Sequence, residues 1–545
     1  MIVIGEENAV GWSTKVAIVG SGPSALSLSF ILNGNIPYYD PVPYGPHPDE
    51  SLHYCLLNYT AGNDLGKSLL DAVADEHIIS YMESSYESFF SDQTLPVNLL
   101  IDALSASDES SFMNCHSKEC RIKWVHESAK YVPHIVIGSS PRPGGQWGSY
   151  EFDSKDQLSL SYAEMLSLPG YSFSQYYMDT YGTTPADFYR PPRHQVADYY
   201  AMYPGKVGIS ENIVSNTLVT CVDRASHTGS FVISMRQCEG AVHKQCLLAA
   251  DKVVLATGVY ESPLESLKSA SPKGINENNG TNTTDLTDVN SNGEYGRHDK
   301  TFYNLTNALV HNNSTSNSNS NSNSFDKHHF SFTIVPPLST PPSEGARASQ
   351  NKTCLIIGTG VSAAEAVNNS IALGYSVIHI YKWYDEKGSP CVFRRYPKEL
   401  YPDYCKVFRM MKQRKVAGLY EGLPNAQILD ISPDGMVEIK LEDGSTVCRT
   451  VSSVRACTGR TGSLSYLCNP VLDRSIESTI RTMPITKKTL RDKYIDKNDQ
   501  SLCVGENVYA IGSLCGDTVV RFMLGASFSV AGELVDSSSA KSVGS

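Results

Sequence analysis

Val16-Ala17-Ile18-Val19-Gly20-Ser21-Gly22-Pro23-Ser24-Ala25 opens the reading of this chain, and Leu355-Ile356-Ile357-Gly358-Thr359-Gly360-Val361-Ser362-Ala363 repeats its pattern far downstream. Each is a buried-strand run, a glycine loop and a helix of small residues. The first glycine of such a loop permits the tight turn out of the strand. The second removes the Cβ that would strike a pyrophosphate, and the small third residue lets the helix lie close on the sheet with its N-terminal amides free for phosphate oxygens. Alanine stands at the third position in both copies, which the pattern allows. A single copy also describes an ordinary strand, turn and helix; two copies in one chain imply two dinucleotides.

Length and composition frame that expectation. With 545 residues there is room for two to four domains with buried cores, and 41% hydrophobic and 19% charged residues are usual for a globular protein. The net charge of −12 argues against a nucleic-acid surface, which needs clustered positive charge. No apolar run approaches the roughly 18 residues of a membrane helix. Met1-Ile2-Val3-Ile4-Gly5-Glu6-Glu7 lacks the basic and apolar regions of a signal peptide, so a cytoplasmic location without a membrane span is expected. The 14 cysteines contain no Cys-x-x-Cys pair, so neither a zinc ribbon nor a dithiol motif is supported; no metal is expected, and most are read as buried thiols.

A compositional break divides the chain. Residues 262–349 are rich in Asn and Ser, with Asn313-Ser314-Thr315-Ser316-Asn317-Ser318-Asn319-Ser320 at their centre, and read as a disordered linker insert. The expected fold is therefore α/β, a two-dinucleotide-binding-domain flavoprotein. Residues 13–261 form the first part of a Rossmann-like FAD domain, 350–445 an inserted NADPH domain, 446–536 the second part of the FAD domain, and 537–545 a polar tail. Gln195 to Met202 reads as helix and Ile213 to Val254 as a meander. The strands Lys252-Val253-Val254-Leu255-Ala256-Thr257-Gly258 and Val454-Arg455-Ala456-Cys457-Thr458-Gly459 each follow one fingerprint.

Two further segments carry chemistry. In Pro143-Gly144-Gly145-Gln146-Trp147 the glycines allow close backbone approach and Trp147 offers a flat apolar face; a glycine turn beside a core tryptophan is the plain alternative. In Gly512-Ser513-Leu514-Cys515-Gly516-Asp517 a turn leads to an acid heading a helix expected near Thr518, where Asp517 either meets a ribitol or simply caps the helix. The cofactor-binding candidates are Gly20, Gly22, Ser24, Ala25, Gly144, Gly145, Trp147, Gly516 and Asp517 for FAD. For NADPH they are Gly358, Gly360, Ser362, Ala363, Lys382, Arg394 and Arg395. Lys382 ends the strand Val377-Ile378-His379-Ile380-Tyr381, where a cation suits a 2′-phosphate and a carboxylate would favour NAD.

The Gly-Gly-x-Trp segment resembles that of the flavin-containing monooxygenases. Within that architecture four blocks resemble the oxidative-stress-induced growth inhibitor family: 16–26 (VAIVGSGPSAL), 131–147 (YVPHIVIGSSPRPGGQW), 398–410 (KELYPDYCKVFRM) and 512–525 (GSLCGDTVVRFMLG). The resemblance implies FAD, NADPH and monooxygenase activity on O2 and an unidentified substrate, either a small molecule or a protein side chain. It also implies a link to growth, cell death and cytokinesis, with regulatory protein partners.

The chain departs from the monooxygenase pattern in three places. Asp40, after the Pro-broken Ile36-Pro37-Tyr38-Tyr39, arrives early for a ribose-binding acid. Leu160 or Ser161 stands where an active-site Asn is expected, and no Phe-x-Gly-x-x-x-His precedes the second fingerprint. Hydrogen peroxide release, an oxidase or reductase without oxygenation, and a dinucleotide-binding regulatory scaffold therefore stay open beside the monooxygenase. No side chain is assigned a catalytic role from sequence alone.

Overall fold

The computed structural model describes residues 10–62, 66–86, 94–105, 120–148, 157–225, 229–239, 242–259, 262–263, 352–383, 391–432, 434–468, 471–472, 485, 502–516 and 519–539. The Asn/Ser-rich centre of the expected linker and Asp517 lie outside them. Two compact units emerge, 1–262 with 460–545, and 263–459.

In the first unit, β1 (Val10–Val19) feeds α1 (Pro23–Leu32) through the first glycine loop. β2 (Asn35–Tyr39), α2 (Pro96–Ser105), β3 (Ile122–His126) and β4 (His134–Ile137) follow. Pro37 lacks the amide a central strand must donate. β2 accordingly pairs antiparallel with β3 in a separate two-stranded sheet, Pro37 opposite Trp124. β4 takes the place beside β1, in parallel, with Val16 opposite His134 and Val19 opposite Ile137.

Helix α3 (Arg193–Val207) covers the expected helical stretch and leads to the short β5 (Ile213–Val214). The meander is β6 (Thr217–Arg224), β7 (Phe231–Glu239) and β8 (Val242–Leu255), joined antiparallel. Only β8 is long enough to pair with β7 and also run parallel to β1, with Leu255 opposite Val19.

The second unit repeats the plan. β9 (Thr353–Ile357) leads into α4 (Val361–Ala372), β10 (Ser376–Tyr381) and α5 (Pro402–Gln413). Then come β11 (Lys415–Val416), β12 (Tyr420–Pro424), the meander β13 (Gln427–Ile431), β14 (Met436–Lys440), β15 (Thr446–Thr450), and β16 (Ser453–Ala456). The sheet order is β11-β12-β10-β9-β16, parallel except at the β11 edge. Because β15 pairs with β14 and β16 with β9, the chain stays in this unit past residue 446 and re-enters the first at Arg460.

On return, β17 (Cys503–Gly505) and β18 (Val508–Ala510) complete the first sheet, ordered β17-β18-β8-β1-β4-β5, and α6 (Leu524–Ser539) packs on α1 and α2. The helix expected near Thr518 begins instead at Leu524, after a 3-10 turn over Val520–Met523. The cysteine expectation is also corrected. Cys221 on β6 and Cys468 form a disulfide, and of the described free cysteines only Cys246, Cys354 and Cys515 are buried.

Candidate functional site

Backbone geometry decides what the first loop can hold. Gly20 has φ +112°, and a Cβ there would collide with the Ala256 carbonyl oxygen, so only glycine closes the turn. The loop is tied on both sides: the Gly20 amide donates to Ile137 O at 2.8 Å and the Ala256 amide to Val19 O at 2.8 Å. Gly22 differs. Its backbone is extended (φ −76°, ψ 178°) and a Cβ would meet no protein atom within 4 Å. The glycine N-cap of α1 offers no side-chain oxygen to its N-terminal amides, which are left for another acceptor. A free helix N-terminus above a loop with room where a side chain would sit fits a dinucleotide pyrophosphate.

The other predicted segments converge on this loop. The Gly144 amide donates to Ser21 O at 2.8 Å, and Gly144 itself has φ +116°. A Cβ on Gly145 would lie 2.9 Å from Gly22 Cα, so the Gly-Gly-x-Trp segment docks directly on the phosphate loop. Trp147 is half-buried, its ring 6.4 Å from that of Tyr200. Ser24 and Ala25 are buried in the first turn of α1, and the Ser527 hydroxyl on α6 donates to Ser24 O at 3.0 Å. A Cβ on Gly512 would sit 2.8 Å from Ser24 Oγ, which brings the Gly512–Gly516 turn to the same place; Gly516 has φ +108°. The Ala526 amide in the first turn of α6 already donates to Asn98 Oδ1 at 3.0 Å.

One expected partner is absent from its place. The ribose-binding carboxylate of such folds ends the strand beside the fingerprint strand. Here that strand is β4, and the next residue is Gly138, where a Cβ would collide with the Ser21 side chain. Asp40 instead follows β2 in the separate sheet; its amide donates to Arg121 O and its Oδ1 accepts from Val42 N at 3.1 Å.

The second loop copies the first. Gly358 has φ +143° and abuts the Cys457 carbonyl, whose own amide donates to Ile357 O at 2.7 Å. Gly360 is extended, caps α4 without side-chain help, and a Cβ there would meet nothing within 4 Å. Ser362 and Ala363 occupy the first turn of α4, Ala363 buried. Lys382 is exposed just beyond β10, and its amide donates to Thr359 Oγ1 at 3.0 Å, which places it at the loop. Arg394 is exposed on the 3-10 turn Val392–Arg395; the side chain of Arg395 lies outside the description.

Sequence reading missed His379. It is fully buried on β10, and the Gly358 carbonyl can only accept, so Nε2–H donates to it at 2.8 Å. Nδ1 then accepts from the Tyr420 hydroxyl at 2.9 Å. Burial lowers its pKa to about 4, so it is a neutral brace for the loop. Its signal was a lone polar residue in an otherwise apolar strand. Among the described residues no group of three or more His, Cys, Asp or Glu could hold a metal, and no helix is long and apolar enough to cross a membrane.

Two Rossmann-like units, each with an intact phosphate loop, define an α/β flavoprotein architecture with two dinucleotide-binding domains. Within that class the chain is similar, along nearly its whole length, to the oxidative stress-induced growth inhibitors. It is 28% identical to growth inhibitor 1 of Mus musculus over 536 residues, 95% of each chain, and 24% identical to growth inhibitor 2 of Homo sapiens over 548 residues, 94% of this chain and 92% of that one. No family model matches the chain. Among solved structures, bacillithiol disulfide reductase Bdr (YpdA) from Bacillus cereus aligns at 12% identity over 96% of this chain and 99% of that one, TM-score 0.46. Ornithine hydroxylase (PvdA) from Pseudomonas aeruginosa gives the same four figures.

Proposed function

We propose that this chain is an FAD-dependent, NADPH-consuming oxidoreductase, and that its reaction is monooxygenation of the growth-inhibitor type. FAD and NADPH are its cofactors, FAD on the first loop and NADPH on the second. The observation that carries the reading is the paired construction of the loops: in each, the second glycine faces open space and the helix behind it has no side-chain cap. When bound, the nicotinamide supplies hydride and the flavin passes electrons to O2. The chain's own residues bind and orient. Gly22 and Gly360 admit the pyrophosphates, Gly145 and Trp147 are set against the flavin side, and Lys382 faces the 2′-phosphate. Its substrate is a small molecule or a protein side chain, and regulation of growth through protein partners in the cytoplasm completes the proposal.

A second reading is a dinucleotide-binding regulatory scaffold. Gly138 in the place of the ribose carboxylate favours it, because that hydrogen bond to FAD is lost. The visible spectrum of purified protein, before and after anaerobic NADPH, separates the two. Flavin absorbance that bleaches with NADPH supports the oxidoreductase. Folded protein that holds no flavin when supplied with FAD overturns it in favour of the scaffold.

A further inference from the structure

The first unit contains a continuous run of aromatic rings that nucleotide binding does not require. From Trp147, two residues beyond the Gly145–Gly22 contact, the ring of Tyr200 lies at 6.4 Å. Tyr199 follows at 5.0 Å from Tyr200, and Tyr171 at 6.1 Å from Tyr199. Tyr199 and Tyr200 have no exposed surface. Electronic coupling between π-systems decays steeply with separation, so rings at these distances exchange electrons far faster than across the unbroken width of a domain.

The phenols differ in what they touch. Tyr200 donates to Leu166 O at 3.0 Å and Tyr199 to Tyr171 O at 2.7 Å. A peptide carbonyl is too weak a base to keep a proton, so the phenol proton shifts toward it only while the ring is oxidised and returns when the ring is refilled; neither ring settles as a neutral tyrosyl. Tyr171 alone in this run donates to a carboxylate, Asp179 Oδ2, at 2.9 Å. The Lys206 ammonium also binds Asp179, at 2.6 Å, and lies 5.5 Å from the centre of the Tyr171 ring. These two donors hold the Asp179 carboxyl below its usual range, hence ionised and able to accept. Lys206 opposes positive charge on the Tyr171 ring, so electron and proton must leave together.

We propose that Trp147, Tyr200, Tyr199 and Tyr171 form a one-electron relay that drains oxidising equivalents from the first dinucleotide site to Tyr171, with Asp179 as proton acceptor. The relay rests on FAD occupying that site. Its oxidant is a hydroxyl-class oxygen radical formed where O2 is reduced without reaching substrate. That radical takes one electron from Trp147 and one proton from water and leaves as water. Trp147 is refilled through Tyr200 and Tyr199 by Tyr171, whose O–H bond breaks, the proton passing to Asp179. A thiol from solvent then returns a hydrogen atom to the neutral tyrosyl, and Asp179 releases its proton.

Blue-light flash photolysis of the FAD-loaded chain tests this, because the excited flavin withdraws an electron from the nearest ring and transient absorption tells tryptophan from tyrosine radicals. Wild type is expected to give a long-lived tyrosyl signal. Trp147→Phe should restore flavin fluorescence and abolish that signal. Tyr171→Phe should leave fluorescence quenching intact but abolish the long-lived tyrosyl signal, and Asp179→Asn should leave quenching intact while the tyrosyl lifetime falls several-fold. A tyrosyl signal unchanged in Tyr171→Phe, or absent from flavin-loaded wild type, overturns the relay and leaves FAD binding standing. Failure to retain flavin overturns both.

Discussion

At the scale of single residues, the two glycines of each phosphate loop answer to different constraints. Gly20 is held by the fold: positive φ and the Ala256 carbonyl exclude any side chain. Gly22 is extended, and a Cβ there would meet no atom within 4 Å, so neither its backbone nor its surroundings exclude a side chain as they do at Gly20. Gly20→Val should therefore cost a few kcal/mol of stability. Gly22→Val should cost about 1 kcal/mol as a poorer helix cap while losing FAD. Thermal melts paired with flavin absorbance check this, and a folded Gly22→Val that keeps stoichiometric flavin would remove the pyrophosphate from that loop. Lys382 is a residue of specificity rather than fold, being exposed at the second loop. Lys382→Glu should weaken NADPH roughly tenfold or more, the worth of a charge-assisted contact, with NADH much less affected. Equal losses for both nucleotides would take Lys382 out of the 2′-phosphate site.

Between elements, α2 anchors the segment that follows the Gly512–Gly516 turn. Asp102 on α2 makes a two-pronged ion pair with Arg521 in the turn before α6, both side chains mostly buried. Asn98 caps the Ala526 amide, and Gly525 is so close to the Val97 backbone that a Cβ would collide with it. Asp102→Ala would leave Arg521 without its carboxylate in a buried place, a loss of about 3–5 kcal/mol. The double change Asp102→Leu with Arg521→Met removes both charges and should recover most of that loss in urea denaturation. A double variant as unstable as the single one would show that packing, not the pair, holds this joint. None of this was readable beforehand, because residues 102 and 521 are joined only by tertiary structure. The loops were readable because a strand, a glycine turn and a small-residue helix are local. Strand order was half readable: Pro37 flagged a broken strand, yet only the sheet shows that β4 displaces β2 beside β1 and puts Gly138 where an acid was expected. The Cys221–Cys468 bond has no local signal, since its partners are 247 positions apart in sequence.

Across the whole molecule, both units carry a neutral histidine buried at the sheet. His134 opens β4, with Nδ1–H donating to Val132 O at 2.7 Å and Nε2 accepting from the Ser29 hydroxyl at 2.8 Å. His379 does the equivalent in the second unit. Burial lowers each pKa from 6.5 to about 4. The unfolded chain therefore binds a proton near pH 6.5 that the folded chain refuses until about pH 4. Their contribution is complete above pH 6.5, declines as pH falls, and is gone below about 4, each being worth roughly 3 kcal/mol across that window. Carboxylates with lowered pKa, such as Asp49, Asp75 and Glu421, lose their contribution only below their ordinary values of 3.8 to 4.5, which separates the two effects. Both units should accordingly lose urea resistance together between about pH 6.5 and 4.5. His134→Gln and His379→Gln should each flatten the pH slope of their own unit, read by fluorescence in backgrounds that keep only Trp124 for the first unit or only Trp383 for the second. A slope unchanged in both variants would mean that these imidazoles do not govern acid sensitivity.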